Sequence, residues 1–339
     1  MREPPLDLSD DTLAANLRTH YRLAVTTVTF LPLGHDSSAW VYRVQADDET
    51  SYFLKVRTSV TNAPSLLVPR YLQEQEGAHV LAPLPTATGA LWAEVAGYVL
   101  ILYPFIAGTS GMAHGMAEAQ WIAYGAILRQ IHSMEIAPTV AHPMRRETFV
   151  PAGAAMVREV DGHLGRRPCA DSVVQHLAAL WHERRDVIRT LVSRAEELGR
   201  QLARKASPFV LCHADIHTDN VLLDAAGQIW IVDWDETVLA PKERDLMFVV
   251  GGGISRALVG RREEELFVQG YGATPLDPLA LSYYRYAWAV SDIGEYGAQV
   301  VLRLDLGEVS RQAALAIFQS LFGPGEIVAL ALASSEGAA

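Results

Sequence analysis

Two cysteines in 339 residues, Cys169 and Cys212, are too few for a disulfide framework. A chain without such staples is expected in a reducing compartment, the cytoplasm. No stretch of about 20 apolar residues is present to span a bilayer. Residues 1–11 are acidic and contain prolines, without the basic start and apolar centre of a secretory signal, so none is expected. Basic charge is scarce too: 28 Lys and Arg stand against 39 Asp and Glu, a net charge of -11. That balance disfavours a nucleic-acid partner, which needs a basic footprint, and would suit a cationic small molecule. Internal repeats and low-complexity linkers are missing, and nothing points to an obligate protein partner. What the chain has in quantity is apolar surface: 50% hydrophobic residues, ample for the two domains its length suggests.

The informative polar residues are concentrated. The run His213-Ala214-Asp215-Ile216-His217-Thr218-Asp219-Asn220 is followed shortly by Ile231-Val232-Asp233-Trp234-Asp235. Between them, Val221-Leu222-Leu223, Asp224-Ala225-Ala226-Gly227 and Gln228-Ile229-Trp230-Ile231-Val232 read as strand, tight turn, strand. The hairpin returns Asp233, thirteen residues after Asn220, to the side where Asn220 began. Asn220 and Asp233 are then candidate ligands for Mg²⁺, a hard cation that also takes substrate phosphates. Asp215, five residues before Asn220, is the candidate proton acceptor. This is the layout of kinase phosphoryl transfer from ATP. Each residue alone reads equally as turn chemistry, because Asp and Asn side chains satisfy local backbone groups. The combination, flanked by apolar strands, carries the reading. Cys212, beside His213, reads as a small buried apolar residue rather than a nucleophile.

The first third of the chain is strand-like at 26–33, 39–44, 51–57, 91–95 and 98–103. In the third of these, Tyr52, Leu54 and Val56 share one face, and Phe53, Lys55 and Arg57 the other. A lysine in an apolar third strand is the kinase arrangement for gripping nucleotide phosphates; an edge-strand lysine facing water is the alternative. The turn Gly34-His35-Asp36-Ser37-Ser38 lacks a three-glycine pattern, so phosphate contacts are expected from backbone amides and the hydroxyls of Ser37 and Ser38. Glu74 is preferred over Glu76 as the acidic partner of Lys55, with surface exposure an equal alternative. Pro64 and Pro69 are expected to interrupt the stretch between. The segment 103–108 reads as a hinge whose backbone receives adenine at Tyr103, Phe105 and Ile106, with Leu222 as a further nucleotide contact. Beyond it, Trp121, Tyr124, Leu128 and Ile131 form one apolar helix face. A second stripe runs from Val174 to Leu202 along a helix expected over 173–205. The fold class is therefore α+β, with a nucleotide-binding lobe at 1–105 and a helical lobe at 106–339 holding the catalytic loop and substrate site.

The form His-x-Asp-x-x-x-x-Asn, followed by Asp233-Trp234-Asp235-Glu236, resembles the aminoglycoside phosphotransferase superfamily. So do Pro241-Lys242-Glu243-Arg244-Asp245-Leu246, Leu102-Tyr103-Pro104-Phe105-Ile106 and Leu128-Arg129-Gln130-Ile131-His132, which are similar to its spectinomycin branch. The resemblance spans nearly the whole chain and implies a bilobal, protein-kinase-like fold. It also implies ATP and Mg²⁺ as cofactors, and O-phosphorylation of an aminocyclitol antibiotic, most simply the 9-hydroxyl of spectinomycin, conferring resistance. By the same resemblance His213 braces the catalytic loop and Asp245 anchors it. A drug with two methylamino groups asks for carboxylates, for which Asp235, Glu236, Asp292 and Glu295 are the candidates; each is equally at home on a surface. Trp288 and Tyr296 are candidate apolar walls. A kinase of another small alcohol (another aminoglycoside, choline or homoserine) remains the alternative. A regulatory pseudokinase is disfavoured, because Lys55, Asp215, Asn220 and Asp233 are all present.

Overall fold

The computed structural model describes residues 5, 8–32, 39–59, 62–76, 79–165, 171–252, 259–303 and 306–334. In chain order its strands are β1 (Val25–Leu31), β2 (Ala39–Ala46), β3 (Ser51–Arg57), β4 (Ala93–Val95), β5 (Tyr98–Pro104), β6 (Gly108–Ser110), β7 (Val210–Cys212), β8 (Val221–Asp224), β9 (Ile229–Ile231) and β10 (Val238–Ala240). The chain forms two compact units. The first comprises Met1–Gln120, Glu135–Met144 and Thr218–Thr237; the second comprises Trp121–Met134, Arg145–His217 and Val238–Ala339. The boundary expected at residue 105 and the 103–108 segment lie inside the first unit. Among the described residues no helix is long and apolar enough to cross a membrane.

An antiparallel sheet in the order β1-β2-β3-β5-β4 dominates the first unit. Successive side chains of a strand point to opposite faces, so the sheet has two characters. Leu54 and Val56 of β3 pair with Leu102 and Leu100 of β5, and all four are buried. They join Leu13 and Leu17 of helix Asp10–Tyr21, which covers that face and starts from an N-cap at Ser9. Each such fully buried side chain is worth roughly 1.5–3 kcal/mol. On the other face Phe53 pairs with Tyr103, and Lys55 lies opposite Val41 and Ile101. This face is only partly filled.

Later chain completes the unit. β8 pairs with both β6 and β9. The β8–β9 turn is organised by Asp224, whose carboxylate accepts from the Ala226 and Gln228 amides, both at 2.9 Å, and from the Trp230 indole at 3.0 Å. Gly227 supplies the positive φ (+78°) that closes the turn. The stretch 79–81 runs along β9, with Ile231 N–H donating to His79 O and Leu81 N–H to Ile231 O. Gly108 approaches the Leu223 carbonyl too closely for any Cβ.

One expectation fails in this unit. Pro64 and Pro69 do not break the chain, which is helical over Pro64–Glu76. Pro64 occupies the first position, where a missing N–H is one of the orphans anyway, and Pro69 is carried inside.

The second unit is built on helices. Ser172–Leu202 is capped by Asp171 and buries Val174, Leu177, Trp181, Ile188, Leu191, Ala195, Leu198 and Leu202. It ends where the apolar stripe ends, three residues before the expected limit at residue 205. Helix Pro278–Val301 packs on it and on Gly153–Leu164, where a Cβ on Gly153 would strike the backbone of Ser291. The short strands β7 and β10 pair antiparallel. They carry the chain into and away from residues 213–237.

Candidate active site

A cavity of about 480 Å³ lies against β3 within the first unit. Its walls include Val41, Phe53, Tyr103, Phe105, Ile106 and Leu222, and Lys55, Asn220, Asp233 and Asp235 also line it. An apolar slot that also carries cations and acidic oxygens suits a flat ring system bearing an anionic tail. Lys55, Tyr103, Phe105, Ile106, Leu222, Asn220 and Asp233, named from sequence, all line this one cavity. Ser37 and Ser38 lie outside the described residues.

The lysine has partners that sequence did not supply. Lys55 Nζ is 2.8 Å from Asp235 and 3.3 Å from Asp233. Burial works against its charge, but the two carboxylates outweigh this and hold its pKa above the ordinary lysine value. Arg57 also reaches Asp235, at 2.8 Å. Burial opposes ionisation of Asp235, yet Lys55 and Arg57 prevail and keep its pKa below the usual carboxylate range. Glu74, the expected partner, binds Arg70 at 2.7 Å instead, one turn back on its own helix. Asp235, expected to face a substrate, is thus taken up by two cations. Glu236 beside it is exposed. The hint lay in the Lys-x-Arg of one strand face and the Asp-x-Asp after the hairpin, both at spacing two.

Asn220 and Asp233, one a carboxamide and the other a carboxylate residue, both line this cavity. Asp233 sits at φ 60°, a left-handed conformation that Asp tolerates better than most residues. Val232 N–H donates to Asn220 O at 3.0 Å, so the backbone ties the two positions together. Oxygen donors beside a partly exposed carboxylate fit a hard divalent cation such as Mg²⁺.

Asp215 follows β7 in the second unit and is held by a buried scaffold. Asp245, wholly buried, accepts from His213 N–H at 2.9 Å and Ala214 N–H at 2.6 Å, and pairs with His132 Nε2 at 3.1 Å. Burial opposes its charge, but these donors hold its pKa below the usual range. Ala214 takes a left-handed φ of 70°, which turns the chain between His213 and Asp215. The Tyr124 hydroxyl fastens the far side by donating to Ile216 O. His132, Cys212 and Asp245 cluster closely, but His132 is spent on Asp245 and the Tyr271 hydroxyl. Cys212 is buried, which raises its thiol pKa and removes it as a nucleophile.

Asp215 itself is half-buried, with His217 Nε2 at 3.2 Å. The His217 ring meets Phe248 edge-on, and Phe248 meets Trp288 at 5.0 Å. Trp288 donates to Asp292, whose carboxyl is pushed up to about 7 by burial first and by the charge of Asp215 second. Asp292 therefore keeps company with Asp215 and His217. Glu295, one turn on, is exposed and accepts from Gln299 at 3.0 Å. Asp235 and Glu236 belong to the first unit, Asp292 and Glu295 to the second. Arg57, Asn62 and Phe248 were not foreseen.

Residues 29–286 match the phosphotransferase enzyme family APH, and the chain belongs to it: an O-phosphotransferase whose acceptor is an alcohol. Over 97% of its length the chain is similar to a solved spectinomycin phosphotransferase, APH(9)-Ia, in complex with ADP and spectinomycin. The identity is 30%, the TM-score 0.87, and 99% of that chain is covered. An AMP-bound complex of the same enzyme gives 30% and 0.83, over 95% of this chain and 98% of that one. Protein StrN of Streptomyces griseus is 24% identical over 84% of this chain and 83% of its own. The likeness establishes the kinase-like fold, with a β-rich N-terminal region and a helical C-terminal one.

Proposed function

We infer that the chain is an ATP-dependent kinase of spectinomycin that confers resistance in the cytoplasm. The observation that carries this reading is the end-to-end similarity to a spectinomycin phosphotransferase, 97% of one chain against 99% of the other. On this reading adenine occupies the slot beside Phe53 and Leu222 and hydrogen-bonds to the backbone of the 103–108 hinge. Residues 1–105 and the hairpin grip the nucleotide, and the rest of 106–339 serves the acceptor. Lys55 neutralises phosphate charge, and Asn220 and Asp233 would hold Mg²⁺. Once bound, the ion draws off charge developing on the transferred phosphoryl group. Asp215 accepts or orients the proton of the attacking hydroxyl, with His217 beside it. Asp292 and Glu295 receive the methylammonium groups, and Trp288 lends an apolar wall.

The test is ADP release with spectinomycin, kanamycin, hygromycin and choline as acceptors, followed by mass spectrometry. Fastest turnover is expected on spectinomycin, with one phosphate added. Faster turnover on another acceptor would move the assignment to a kinase of another small alcohol; a product without phosphate would end it.

A further inference from the structure

In protein kinases the strand-borne lysine is aimed by a glutamate on a neighbouring helix, and the enzyme can be switched by moving that helix. Here the helix after β3 offers Glu74, 53% exposed and engaged with Arg70. Lys55 is held from elsewhere. Its partner Asp235 lies two residues beyond Asp233, and Arg57 Nη1 reaches the same Asp235 oxygen that Lys55 reaches, each at 2.8 Å. Asn62 Nδ2 donates to the Asp235 carbonyl at 2.9 Å, fixing the backbone as well. Lys55 and Arg57, two apart on β3, share one sheet face, and each side chain is only 14% exposed.

A carboxylate shared by two cations has a particular property. If Lys55 turns to an incoming phosphate, Asp235 keeps Arg57, and no partly buried charge is left uncompensated, which would be costly. With Lys55 as its sole cation, Asp235 would instead compete with phosphate for the ammonium group.

We propose that Arg57 and Asp235 are positioning residues for phosphate recognition. Together they aim Lys55 and tie the loop bearing Asp233 to β3, taking the part of the helix-borne glutamate. The aim of Lys55 is then independent of Glu74 on helix Pro64–Glu76. The proposal rests on the nucleotide reading of the cavity.

Calorimetry on the full chain tests it, with adenosine and with the magnesium complex of a non-hydrolysable ATP analogue. Arg57→Met is expected to weaken the analogue about tenfold, roughly 1.4 kcal/mol, while adenosine stays within about twofold. Asp235→Asn should behave alike, and the double variant should add little, because both changes break one coupling. Arg57→Lys should recover most of the loss, and Glu74→Gln should leave both ligands unchanged. Equal losses on adenosine and analogue, additive single changes, or a comparable loss in Glu74→Gln would overturn the proposal. Should Arg57→Met not fold, Asn62→Ala leaves every charge in place and removes only the carbonyl tether. It is expected to weaken the analogue about threefold, and unchanged affinity there overturns the proposal. A parent chain that binds neither ligand strikes down the nucleotide reading itself; a binding parent with unaffected variants strikes down this proposal alone.

Discussion

His217 Nε2 stands 3.2 Å from Asp215 Oδ1, so the carboxylate at the end of the buried His213–Asp245 scaffold has an imidazole as its immediate neighbour. The backbone on both sides of Asp215 is pinned, at Ala214 by Asp245 and at Ile216 by Tyr124. On the proposed function, a base held this way would meet a hydroxyl without first being ordered, which is where positioned proton transfer gains its rate.

Asp215→Asn keeps the shape and removes the basicity. Turnover is expected to fall roughly 10²–10⁴-fold, with nucleotide affinity by calorimetry within about threefold of the parent. A variant retaining more than about a third of parental turnover would take Asp215 out of the role.

Asp233→Ala leaves Asn220 as a lone neutral ligand. The tightening of ATP binding by Mg²⁺, measured as the ratio of affinities with and without the ion, is expected to vanish. Equal ratios in variant and parent would show that the hairpin does not assemble a cation site.

Asp292 yields a prediction with a definite sign. Its carboxyl is raised from 3.8 to about 7, so the folded chain holds this proton more tightly than the unfolded chain. The resulting stability is fully present below about pH 4 and is lost as the pH climbs toward 7. Asp292→Asn, neutral throughout, should melt a few degrees above the parent at pH 8, and the gap should close by pH 4. KM for a cationic acceptor should fall as the pH rises through 7 in the parent and stay flat in the variant. A melting gap independent of pH would mean that burial is not what perturbs this group.

Asp245→Asn removes a buried charge that serves two backbone amides and a histidine. A loss on the order of 2–4 kcal/mol is expected, seen as a clear drop in melting temperature together with reduced turnover. Unchanged melting would show that the amides alone hold the loop.

How much of this was legible depended on distance along the chain. β3, β5 and the β8–β9 hairpin announce themselves through alternation and short polar turns, and the second-unit helices through their apolar stripes. β6, β7 and β10 are three residues each and carry no periodicity to read. The prolines of Pro64–Glu76 spoke for a break, yet the helix forms, since one proline starts it and tertiary packing outweighs the cost of the other. Lys55 is 180 residues from Asp235, and nothing local in either segment names the other. Glu74 was nearer in sequence and chemically sound, and it lost to a partner that only the folded sheet brings close.

The first unit takes its final piece, Thr218–Thr237, long after its sheet strands have been made. At about 5–20 residues per second on the ribosome, roughly 6–25 s separate the emergence of Gln120 from that of Thr237. During that interval β6 has no partner strand, Lys55 has neither acidic neighbour, and the apolar slot beside Phe53 lacks its Leu222 wall. The nascent chain thus carries a finished five-stranded sheet together with an unpaired β6 and a slot still lacking one wall. A message cut short before codon 218 would yield the five-stranded sheet and Lys55 without Asn220, Asp233 or Asp235.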